Sequence, residues 1–148
     1  MSVDFLHTVE IDRPAAEVFA MVADFSRNPE WQGGMVACRW TSDSRSEVGS
    51  TYAQEARFLG RPIITEFEVV AVDPGRSIEI ASTKSTFPIQ VTRSVEALGP
   101  DRSRVTAHVR GQPTGWMKWL SGMVGRSVRK DYAALKELLE QASHAESA

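Results

Sequence analysis

Asp131 is the residue whose charge fits least well with its place in the sequence. At 100° per residue it falls near the middle of an apolar helical stripe made by Leu120, Met123, Val124, Val128, Leu135, Leu138 and Leu139. An unpaired carboxylate is costly there, so Asp131 is expected to be paired, protonated or turned toward water in a cavity. Arg93, on the inward face of a predicted strand, is the candidate partner. Two readings stay open: a structural ion pair or half-exposed carboxylate, and a polar group that orients one end of a ligand. His7 lies on the apolar face of the first predicted strand, as a hydrogen-bonded core histidine or as a general base with a substrate in reach. Tyr52 and Gln54 share the inward phase of another strand. With His7, Arg93 and Asp131 they are the groups that could move protons or hold a polar end.

The other reactive residue types form no constellation. Histidines at 7, 108 and 144 make no metal-ligand spacing, and His108 alternates with Val105, Ala107 and Val109 as a solvent-facing residue. Cys38 is the single cysteine, which rules out an internal disulfide and reads as a buried thiol. Gly33-Gly34 lacks the strand-turn-helix setting and the Lys-Ser/Thr of a phosphate loop. No metal and no cofactor is expected, and no catalytic set is assigned.

The elements that must position these residues follow from periodicity. Val3 to Ile11 alternates as a half-buried strand. Pro14 suits the first turn of a helix over Ala15 to Ala23, with Asp12 taking the electrostatic role at its start. Asp24 suits the N-cap of a second short turn running toward Pro29 and Trp31. Six strands follow: Val36 to Trp40, Tyr52 to Phe58, Ile63 to Val69, Ser77 to Lys84, Phe87 to Ala97 and Arg102 to Gly111. Their short connections, such as Asp73-Pro74-Gly75, require antiparallel pairing. From Thr114 to about Ala142 the period becomes 3.6, and His144 to Ala148 reads as a frayed tail. A helix of that span would be ~40 Å long, enough to cross a small domain. The expected class is α+β: a curved antiparallel sheet of about seven strands wrapped around a long C-terminal helix, with two short helices after the first strand, a helix-grip fold.

Size and charge agree with one domain. The chain has 148 residues, 42 % hydrophobic and 24 % charged, with 17 Lys+Arg against 19 Asp+Glu. That is a globular composition with no basic surplus, so a nucleic-acid partner is not expected. No apolar run approaches a membrane span and the start lacks a secretory signal, so a cytoplasmic location without membrane insertion is expected.

Val9-Glu-Ile-Asp-Arg-Pro-Ala-Ala-Glu-Val-Phe-Ala, followed by Val22-Ala-Asp-Phe-Ser-Arg-Asn-Pro-Glu-Trp, resembles the START-like superfamily, and within it the polyketide cyclase/dehydrase and lipid-transport family. The Val72-Asp-Pro-Gly-Arg turn and the final Leu135-Lys-Glu-Leu-Leu-Glu also fit. The resemblance covers about residues 3–142 and implies a single START-like domain over 1–148. It departs at Arg13, where such sequences often carry a capping Ser or Thr. It also implies small apolar ligands, lipid carriage, aromatic cyclisation or association with ubiquinone, since fold alone does not choose among them.

A cavity between sheet and helix would be lined by His7, Trp31, Tyr52, Gln54, Phe67, Phe87, Val91, Arg93, Trp116, Trp119, Leu120, Met123 and Asp131. The same side chains would also serve as a filled core. Gly122 and Gly125 weaken the helix locally, so residues 112–125 are read as a gate, with close packing the alternative. The Trp116-Met-Lys-Trp pattern is compatible with transient contact with a membrane surface. Three functions remain: binding or carrying a small hydrophobic molecule, a cyclase/dehydratase-type enzyme, and an interaction module. Monomer and homodimer are both compatible with the sequence.

Overall fold

The computed structural model describes residues 3–58, 60–112 and 120–147. Seven strands form one antiparallel sheet: β1 (Val3–Ile11), β2 (Met35–Trp40), β3 (Thr51–Phe58), β4 (Arg61–Asp73), β5 (Ser77–Lys84), β6 (Ile89–Gly99) and β7 (Arg102–Gly111). The order is β1-β7-β6-β5-β4-β3-β2. β2 to β7 thus run as a meander, and β1 joins beyond β7, pairing Val3 with Gly111 and Ile11 with Ser103.

Alternation decides which face is covered. Thr65, Phe67 and Val69 point inward on β4, whereas Ile64 and Val70 stay exposed. The register of β4 against β5 slips between Val69 and Ala71, and beyond it Val72 rather than Ala71 is the more covered residue. Such bulges bend a sheet and raise its local twist. Others lie between Met35 and Ala37 and between Ala97 and Gly99.

Between β1 and β2 stand α1 (Ala15–Ala23) and a 3-10 helix (Phe25–Glu30). Pro14 is the N-cap of α1, one position before the first turn where the sequence placed it. The Asp12 carboxylate lies 3.9 Å from Arg102 Nε, while Arg13 pairs with Glu17 one turn into α1. Asp24 caps the 3-10 helix as expected, accepting from the Ser26 N–H at 3.2 Å, and also accepts from Trp40 Nε1 at 3.1 Å. The expected tail is instead helical: α2 spans Leu120–Ser147.

Two apolar clusters form the core. One joins Val18 and Val22 of α1, Ile11, Val95 and Val105 of the sheet, Trp31, and Tyr132, Leu135 and Leu139 of α2. The other gathers Phe25, Tyr52, Phe67, Val69, Ile78 and Ile80. α2 comes closest to the sheet along β1, at one edge. Opposite β3 to β6 the helix and the curled sheet stand apart, and space remains.

Candidate functional site

That space has two parts. An inner chamber of about 160 Å³ lies among Asn28, Gln32, Tyr52, Gln54, Phe67, Val91, Arg93, Asp131 and Tyr132, with Met35, Ile80, Ile89, Val109 and Val128 completing its wall. An outer chamber of about 520 Å³ is bordered by Ile63, Thr65, Phe87, Met123, Val124 and Arg57, among others. Gln32, Met35, Ile89, Val128 and Asp131 border both, so the two adjoin. A mostly apolar wall with a few polar groups at one end is the usual make-up of a small-molecule site.

Arg93 projects from β6 and is only 3 % exposed. Its Nη1 donates to Val22 O at 2.9 Å and to Asn28 Oδ1 at 3.0 Å. The guanidinium lies between two rings, 4.4 Å from the centre of Phe25 and 4.8 Å from that of Trp31. Such cation–π contacts hold the side chain in one plane. Its Nε is buried and has no hydrogen-bond partner.

Asp131 takes a different partner. Its Oδ1 accepts the Gly33 N–H at 3.0 Å. The expected pairing of Arg93 with Asp131 is therefore corrected: Arg93 is anchored by neutral oxygens of α1 and the 3-10 helix, and Asp131 by the turn that follows. Each meets the nearest backbone or amide group, so neither swings across the chamber. Burial pushes the Asp131 carboxyl above its ordinary range, opposed by the Gly33 N–H and the charges of Lys130 and Arg93.

Two phenols complete the polar end. Tyr52 stacks between Phe25 and Phe67, with centroids 4.8 and 5.2 Å away, and Tyr132 packs edge-on to Trp31 at 5.0 Å. Burial raises both phenols, and the Arg93 charge works against it. Both are hydrogen-bond donors at neutral pH. Cys38 is pushed up to about 12, chiefly by burial, which leaves it a thiol without nucleophilic character.

Eight of the thirteen residues singled out from the sequence border the two chambers: Tyr52, Gln54, Phe67, Phe87, Val91, Arg93, Met123 and Asp131. Trp31 stands behind Arg93 in the core rather than on the wall. His7 borders neither chamber; its ring stacks on Phe5 and meets Tyr132 edge-on, 6.4 and 6.3 Å between centres. Trp116 and Trp119 lie outside the described residues, as do the rest of 113–119 in the proposed gate and the side chain of Leu120. Sequence reasoning missed Asn28, Gln32 and Tyr132. Tyr132 follows Asp131 on the apolar arc and was legible there, whereas Asn28 and Gln32 sit in a 3-10 helix and a turn without periodicity.

Residues 2–140 match the family described as polyketide cyclase/dehydrase and lipid transport. An uncharacterized Mycobacterium tuberculosis protein is 28 % identical over 141 residues, which are 90 % of this chain and 62 % of that protein. The chain thus spans about 62 % of the length of the curated relatives it matches. A START superfamily protein from Mycobacterium smegmatis superposes with a TM-score of 0.81 at 18 % identity, covering 94 % of this chain and 98 % of that one. The Zhui aromatase/cyclase from Streptomyces sp. R1128 gives 0.80 at 14 % identity, with 95 % of each chain covered. At such identities the superpositions speak for the fold alone.

Proposed function

From the premise that this chain belongs to the polyketide cyclase/dehydrase and lipid-transport family, we propose that it binds a small hydrophobic molecule between the sheet and α2. The observation that carries this reading is the pair of adjoining chambers, apolar along most of their wall and polar at the inner end. The lead role is binding or carriage of a lipid-, quinone- or polyketide-like molecule, in the range of volumes small ligands occupy. Native mass spectrometry of the freshly purified protein, with solvent extraction, tests it. A co-purifying apolar molecule, or a thermal shift from a panel of lipids, quinones and aromatic polyketides, is expected. Bare protein with no shift across that panel overturns the binder reading.

A second reading is favoured by one specific observation: Tyr52, Arg93, Asp131 and Tyr132 converge on the same 160 Å³ chamber. A cyclase needs a base to take a proton from carbon beside a carbonyl and donors to hold the resulting enolate while a ring closes. Asp131 would serve as the base in its ionised form; Arg93 and the phenols would serve as the donors. Enclosure would supply the folding of the chain to be cyclised. Turnover of a polyketide substrate that disappears in Asp131→Asn while binding persists is the expected signature of this reading.

A further inference from the structure

We propose that the inner chamber receives an anionic oxygen of the ligand (carboxylate, phenolate or enolate) on a group about the size of one ring, and that Arg93 selects for that charge. The inference rests on the ligand-binding reading above and adds a sign to it.

Arg93 is a buried cation, yet among the described residues no carboxylate stands at ion-pair distance from it. The groups that accept from it, Val22 O, Asn28 Oδ1 and the Tyr132 hydroxyl, are all neutral, and Nε has no acceptor. The rings of Phe25 and Trp31 fix the guanidinium but do not neutralise it. A buried charge without a counter-charge is expensive to keep. A ligand that brings the counter-charge recovers that cost on binding, whereas a neutral ligand of the same shape does not.

The phenols on the chamber wall favour the same sign, and the Asp131 carboxylate is held through Oδ1 by the Gly33 N–H rather than by Arg93. Tyr52 and Tyr132 offer hydroxyl donors to an anion. A chamber of about 160 Å³ matches the room a single aromatic ring needs, since an apolar cavity of ~150 Å³ holds benzene. The rest of the ligand would then lie in the outer chamber, where Ile63, Phe87 and Met123 present apolar surface.

Calorimetric titration at neutral pH with biphenyl-4-carboxylate and with the neutral, similarly shaped 4-acetylbiphenyl tests this. The wild type is expected to bind the carboxylate about tenfold more tightly or better, as a charge-assisted hydrogen bond implies. Arg93→Met should bring the two affinities to within about twofold by weakening the carboxylate alone, because only the charged interaction is lost. Arg39→Gln, which removes an exposed cation of β2 that borders neither chamber, should leave the preference intact. Should Arg93→Met fail to fold, the Arg93 Nε–H resonance of the wild type gives the answer, moving downfield with the carboxylate and not with the ketone. Equal affinities in the wild type, a preference that survives Arg93→Met, a preference lost in Arg39→Gln, or an unmoved resonance overturns the proposal while leaving ligand binding in place. Failure of both probes to bind overturns the ligand-binding reading, and this inference with it.

Discussion

Asp131 and Arg93 show how much a residue's chemistry depends on its nearest polar neighbour. Both were conspicuous in the sequence because each places a charge on an apolar face, and both are buried, at 8 % and 3 % exposure. Their partners were not legible. Gly33 and Asn28 come from segments with no periodic signature, and a hydrogen bond of 3.0 Å depends on backbone placement that no pattern encodes. The direction of the Asp131 shift fixes a stability prediction. A carboxyl raised on folding binds more protons in the native state than in the unfolded one between its ordinary value of 3.8 and its raised value. Its contribution is therefore present at low pH and is lost as pH rises through that window. Asp131→Asn keeps an oxygen for the Gly33 N–H and removes the ionisation. Thermal melts should show the variant more stable than the wild type at neutral pH, with the difference shrinking toward pH 3.

At the scale of elements, α2 has two tasks that separate along its length. Its C-terminal half supplies Leu135 and Leu139 to the core with α1, Tyr132 serves both core and inner chamber, and Met123, Val124, Ser127 and Val128 border the chambers. Leu135 is fully buried, so Leu135→Ala should cost about 2–5 kcal/mol, since the surroundings collapse only partly around the lost volume. Val91→Ala, on a wall that already faces space, should cost about 1 kcal/mol, close to the transfer term for the methyls removed. Urea unfolding with an unchanged m-value would measure both; equal losses would mean that the chamber packs like the core. The strands were read closely from alternation and turn chemistry. The C-terminal end of α2 was not, because helical periodicity marks a face and does not mark where a helix stops.

At the scale of the molecule, the chambers exist because α2 leans on the β1 edge while bulged strands carry the rest of the sheet away from it. Val128 borders both chambers and should control passage between them. Val128→Phe is expected to abolish binding of a neutral apolar dye such as N-phenyl-1-naphthylamine without lowering the melting temperature. Full dye binding in that variant would show that the passage is not needed. No helix among the described residues is long and apolar enough to cross a membrane. The sequence by itself determined the order of elements, the antiparallel pairing and the inward face of most strands. These follow from local rules: a period of two, a period of 3.6, and connections too short for a parallel crossover. Only the tertiary structure decided that the inward face is not completely filled, that Trp31 and His7 stand off the chamber wall, and that Arg93 and Asp131 do not pair. Those outcomes depend on where α2 settles against the curled sheet and on distances between segments remote in sequence, and periodicity carries no distance.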